Sequence, residues 1–175
     1  MQPRSAKKII ADAEQLCIQR GVRLTAQRAE VLRLMIEHPH AISAYDLLDK
    51  LRISEPQAKP PTVYRALDFL LEQAFIHRVE SNNSYVVCPH FDHPSHSSML
   101  LICDQCASVT ERPAEGIENG IKEQASVSGF TLRHSIIEAH GLCQACATIL
   151  QCDDQEHCHH DHKNITEPKR KPGRA

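Results

Sequence analysis

The sequence predicts an α+β fold in two parts. Three observations carry that prediction: four stretches of helical period lead into a pair of strands, a Pro-, Ser- and His-rich break follows, and two Cys-x-x-Cys pairs bracket a second run of strands. A length of 175 residues accommodates two small cores better than one large one, and with aromatics at only 4% and no tryptophan those cores are aliphatic. Small cores gain from a metal staple.

In the first helix, Ala6 to Arg20, the residues Ile9, Ile10, Ala13, Leu16 and Cys17 recur on one face, and Gly21 supplies a stop. Thr25 caps a second helix with Val31, Leu32, Met35 and Ile36 as its buried stripe, and Pro39 ends it. Ser43 caps a third, with Ala44, Leu47, Leu48 and Leu51 turned inward. After a polar loop from Ile53 to Lys59, Pro60 and Pro61 prepare a fourth helix, Thr62 to Gln73. Its Val63, Ala66, Leu67, Leu70 and Leu71 share one face, and Thr62 and Arg65 share another. Phe75 to Glu80 and Tyr85 to Cys88 read as strands joined by the turn-rich Ser81-Asn82-Asn83-Ser84. This order is that of a winged helix-turn-helix domain, with the fourth helix as the one that enters DNA.

Past the break, Met99 to Ile102 and Ser108 to Glu111 read as strands, Ala114 to Val127 as a helix and Thr131 to Ala139 as an alternating third strand, together a small α/β unit. The expected organisation is therefore a DNA-binding domain over 1–88, a linker over 89–98, a zinc-binding unit over 99–151 and a disordered tail over 152–175, His-rich and then basic.

The basic residues near the N-terminus give way to Ala11-Asp12-Ala13-Glu14 before a signal-like apolar stretch develops, and no run approaches the ~18 apolar residues of a membrane span. A cytoplasmic location without membrane attachment is expected, and there eight cysteines point to metal rather than disulfides. Cys103, Cys106, Cys143 and Cys146 form two chelating turns that complete the tetrahedron of structural zinc, pinning the end of the second unit to its first hairpin across the 36 intervening residues. Such an ion contributes folding energy on the order of 10 kcal/mol. A lone redox pair has no need of duplication, which sets that alternative aside.

A second constellation, His77, Cys88, His96 and Glu111, spans both domains. On the residues alone it stands evenly between a mixed zinc site able to couple metal to domain orientation and a core histidine beside a small buried thiol. The tail's Cys152, His157, Cys158, His159, His160 and His162 read as a solvated or weakly binding cluster. For DNA, Thr62, Tyr64 and Arg65 lie at the start of the fourth helix, Lys59 precedes them where a phosphate would lie, and Tyr45 is a further candidate from the third helix. A formal charge of −2 gives no electrostatic footprint, so the order of elements carries this reading. A zinc hydrolase or deaminase needs an open coordination position and a general base. Four cysteines close the site, and no His-x-Glu precedes a Pro-Cys-x-x-Cys, so no enzyme and no organic cofactor are expected. A zinc-buffering protein using its His-rich tail is the rival from another class, and would lack sequence-specific DNA affinity.

Four segments, Val22 to Arg28, Ala41 to Leu48, Pro61 to Leu67 and Glu138 to Cys146, together resemble the ferric uptake regulator family, most closely its zinc-sensing branch, over roughly Ala6 to Cys146. The resemblance implies a homodimer, joined through its C-terminal domain, that represses zinc-uptake genes from a DNA operator when zinc-loaded, and it leaves room for more than one dimer per operator. It implies two zinc ions per monomer: a regulatory one on His77, Cys88, His96 and Glu111, and a structural one on Cys103, Cys106, Cys143 and Cys146. It also marks Tyr45 and Arg65 as base-reading side chains. Iron-sensing relatives carry a His-His-Asp-His cluster where this chain has Ser97-Ser98-Met99-Leu100, so a zinc sensor is expected, with an iron or peroxide sensor as the runner-up. Asp49 and Arg52 either pair between neighbouring dimers or face water.

Overall fold

The computed structural model describes residues 5–91, 98–132 and 135–153. Four helices open the chain: α1 (Ala6–Gln19), α2 (Ala26–Ile36), α3 (Ala44–Ser54) and α4 (Pro60–Glu72). Their starts are chemical. Ser5, Thr25 and Ser43 accept hydrogen bonds through their hydroxyls from the backbone N–H groups of Lys8, Arg28 and Asp46, three residues on. α4 begins at Pro60, two residues earlier than the periodicity gives, because proline fits the first turn, where no intrahelical N–H bond is required.

The ends follow one pattern. Gly21 at φ +66° closes α1, its N–H donating to the Ile18 carbonyl while Val22 N–H donates to Cys17, and this pairing satisfies carbonyls the helix would leave orphaned. Ala74 closes α4 in the same way at φ 57°, with Ala74 N–H to Leu71 and Phe75 N–H to Leu70, although an alanine there carries a Cβ that the left-handed region disfavours. Arg20 holds this corner: its Nη1 donates to the Gln73 carbonyl at 2.6 Å, and its guanidinium lies 5.5 Å from the Phe75 ring centroid.

The helices bury the predicted stripes. Val31, Leu32, Leu47, Leu51, Val63, Leu67 and Leu70 are fully buried in one core with Phe75 and Ile76, each contributing about 1.5–3 kcal/mol by leaving water. A three-stranded sheet ordered β1-β3-β2 flanks them, formed by β1 (Ile42–Ser43), β2 (Ile76–Val79) and β3 (Ser84–Val87). The two-residue β1 has no counterpart in the sequence reading; it exists because Ile42 and Ser43 pair with Tyr85 and Ser84 just before α3 begins.

The second sheet, ordered β5-β4-β6, comprises β4 (Ser98–Cys103), β5 (Val109–Pro113) and β6 (Ile137–Gly141), with α5 (Glu115–Val127) between the last two. β5 is antiparallel to β4, and β6 is parallel to it. Here the structure corrects the sequence reading. The last strand occupies Ile137–Gly141, not Thr131–Ala139, because its partner is β4, and the pairing of Cys103 with Gly141 sets where it must lie. α6 (Gln144–Asp153) follows and carries helix two residues past the expected start of the tail; residues 154–175 lie outside the described residues.

The two sheets meet. Val79 of β2 is buried against Leu100 and Ile102 of β4, and the Glu138 carboxylate of β6 accepts hydrogen bonds from Glu80 N–H at 2.6 Å and Ser81 N–H at 3.2 Å in the β2–β3 turn. Among the described residues, no helix is long and apolar enough to cross a membrane.

Candidate metal centres and nucleic-acid face

The parallel pairing of β4 and β6 brings the two Cys-x-x-Cys turns together. All four sulfurs of Cys103, Cys106, Cys143 and Cys146 lie within 4.8 Å of one another. Cys106 and Cys143 are 3.8 Å apart, far beyond the ~2.05 Å of a disulfide and close to the edge of about 3.8 Å that a tetrahedron with ~2.3 Å zinc–sulfur bonds requires. Backbone N–H groups surround the cluster, with Cys143 N–H 3.3 Å from Cys103 Sγ. Burial pushes the Cys103 thiol up, but the N–H groups of Cys143, Cys106 and Gln105 outweigh it and bring the thiol down to about 6. The Cys143 thiol is lowered by the Cys146 N–H, whereas Cys146 is pushed up to about 12, first by its hydrogen bond to Cys143. Four sulfurs at this spacing, with N–H groups favouring the thiolate form at Cys103 and Cys143, fit zinc.

The second cluster sits at the junction of the sheets. His77 on β2, Cys88 just after β3 and Glu111 on β5 have ligand atoms within 4.8 Å of one another. His77 Nε2 is 3.2 Å from Glu111 Oε1 and Cys88 Sγ is 4.0 Å from it. Ligands ~2.0 Å from a tetrahedral zinc lie about 3.3 Å apart, so this set also fits. Ser98 Oγ donates to the same Glu111 oxygen at 2.5 Å, orienting a carboxylate whose side chain is only 5% exposed. Cys88 is fully buried beside Phe75, to whose carbonyl its N–H donates. The fourth predicted member, His96, and the tail residues His157, Cys158, His159, His160 and His162 lie outside the described residues.

In the first domain, Tyr45 is 70% exposed in the first turn of α3, and Tyr64 and Arg65 are exposed in the first turns of α4, with Thr62 half-buried. Lys59 is the exposed N-cap residue of α4, and no side chain caps that helix. Asp49 and Arg52 pair with each other at 3.7 Å on exposed α3. The sequence reading passes over the Glu138 contact with the wing, for which only a strand register gives the signal.

Fold and sites together define a winged-helix protein joined to a cysteine-rich sheet, with a mixed His/Cys/Glu cluster at the junction. The chain belongs to the ferric uptake regulator family, whose model matches residues 19–140. It is 57% identical over 172 residues to the zinc uptake regulation protein of Escherichia coli strain K12, covering 98% of this chain and 99% of that one. Among solved structures, a zinc uptake regulator complexed with zinc and DNA matches with a TM-score of 0.82 and 60% identity over 85% of this chain and 99% of its own. Holo XcZur matches at 0.75 with 40% identity, covering 82% and 99%.

Proposed function

We propose that this chain is a zinc-responsive, DNA-binding transcriptional repressor of zinc-uptake genes, acting in the cytoplasm as a zinc-loaded homodimer and not as an enzyme. The observation that carries the reading is the convergence of His77, Cys88 and Glu111 from three segments on both sides of the domain junction, in a chain with this full-length likeness to a zinc uptake regulation protein. Two zinc ions per protomer follow from the two donor sets. Cys103, Cys106, Cys143 and Cys146 hold the structural one, tying β4 to the segment after β6. His77, Cys88 and Glu111, completed by His96, hold the regulatory one.

A zinc ion bound there supplies a fixed centre to which both domains are tied. The residues do the rest. Glu111 is oriented on β5 by Ser98, so an ion shared with His77 and Cys88 ties the winged domain to the sheet in one arrangement. That sets the direction of α4, where Thr62, Tyr64 and Arg65 meet base edges, Tyr45 adds a contact from α3 and Lys59 meets phosphate. A second copy is favoured by α5, which has no buried residue while its Ile117 and Val127 and the following Phe130 are 44%, 79% and 65% exposed. Dimerisation pairs two α4 helices for successive major grooves.

Selection of duplexes from random sequence by the full-length protein, with and without zinc, tests the reading. A pseudo-palindromic sequence should emerge only with zinc. Equal enrichment under chelation, or none with zinc, contradicts it.

A further inference from the structure

The contact between wing and second sheet has an order to it. On β4, Leu100 is paired with Glu111 of β5 on one side and with Glu138 of β6 on the other. Residues directly opposite on neighbouring strands project from the same face, so Glu111, Leu100 and Glu138 form one row across the sheet, about 10 Å from end to end. Each member of that row meets the next part of the wing. Glu111 meets His77 at 3.2 Å, Leu100 is buried with Val79, and Glu138 accepts from Glu80 and Ser81. β2 and the turn after it thus lie along the row, with a carboxylate at each end and an apolar contact in the middle.

We propose that Glu138 is a positioning residue, a metal-free latch that docks the tip of the wing and so raises the affinity of the junction cluster for its zinc. A body held at one point still rotates about it. The His77–Cys88–Glu111 cluster grips the open end of the β2–β3 hairpin, and Glu138 grips its turn. With both held and Val79 packed between them, only one orientation of the hairpin on the sheet satisfies every contact. A carboxylate is well suited to this role. Its side chain is 11% exposed, and it takes two backbone N–H groups that no side-chain substitution in the wing other than proline removes. Burial would raise its pKa, but the Ser81 hydroxyl and the Glu80 and Ser81 N–H groups hold it below the usual carboxylate range, so it stays ionised as an acceptor. Two contacts that favour the same docked arrangement strengthen each other by linkage, although Glu138 does not touch the metal-type cluster.

The inference rests on the zinc-dependent DNA-binding reading above, and the Glu138→Gln variant separates the two. Glutamine keeps the shape and one acceptor oxygen but turns an amide N–H toward the donors of the wing. In the full-length dimer, the free-zinc midpoint for binding an in vitro-selected duplex should rise about tenfold. Hydrogen exchange at the Glu80 and Ser81 amides should quicken, while zinc at the four cysteines and the dimer persist. An unchanged midpoint with unchanged exchange overturns the latch, as does loss of the cysteine-bound zinc or of the dimer, which would mark Glu138 as merely structural. If the wild-type protein binds no duplex under zinc, the functional reading falls, and exchange at Glu80 and Ser81 still decides the latch.

Discussion

At the scale of single residues, protonation governs the cysteine site. Thiolates hold metal and thiols do not. Cys103 is depressed to about 6, so its stabilising thiolate form is favoured above its ordinary value and is lost as the pH falls through about 6. Cys146, pushed up to about 12, must instead release its proton to the ion, so zinc content at the four cysteines should fall progressively as the pH is lowered, as measured on gel-filtered protein across a descending pH series. Ala74 offers a test of backbone strain. Its φ of 57° places a Cβ in the left-handed region, at a cost of about 1–2 kcal/mol, part of which glycine returns as unfolded-chain entropy. Ala74→Gly should raise stability by about 0.5–1 kcal/mol in urea melts, and a loss would mean that the methyl group packs usefully at the Arg20–Phe75 corner.

At the scale of elements, on the proposed reading, the labour of the α4 region is divided by position. Arg65→Ala should cost about 1–3 kcal/mol on the selected duplex and relax preference at one base position. Lys59→Ala should weaken all duplexes about equally and lower the salt dependence by about one counterion; binding assays at several salt concentrations distinguish the two. The helices of this domain are legible in the sequence because period and punctuation agree: Thr25 and Ser43 cap the helices that follow them, and Gly21 stops α1. The second unit is less legible, for physical reasons. Thr131 onward alternates as a strand does, yet the strand begins at Ile137, since alternation is local and the partner that fixes register, β4, lies more than thirty residues away. The four cysteines announce their site by spacing alone. His77, Cys88 and Glu111 have no common spacing, so the residues leave that site even and the family resemblance favours it; pairing across two sheets is what brings their ligand atoms together. Glu138 has no signal at all, being one carboxylate among many until its register beside Leu100 is known.

At the scale of the whole molecule, the contacts between the two units among the described residues are few: one apolar patch centred on Val79, the Glu138 bridge and the metal-type cluster. A junction so sparse leaves domain orientation open to small free energies, as a sensor requires. The exposed apolar surface beside α5 is the other large-scale feature. Phe130→Asp should weaken the dimer by about 2 kcal/mol or more, read by sedimentation at falling concentration, while leaving the winged domain's helicity unchanged. On the proposed reading, the cluster at the junction, not the four-cysteine site, couples metal to DNA. The decisive measurement is a titration of free zinc against duplex binding by the Cys88→Ser variant. The cysteine-bound zinc and the dimer should remain while zinc-dependent DNA binding is lost, and wild-type zinc dependence in that variant would contradict the coupling.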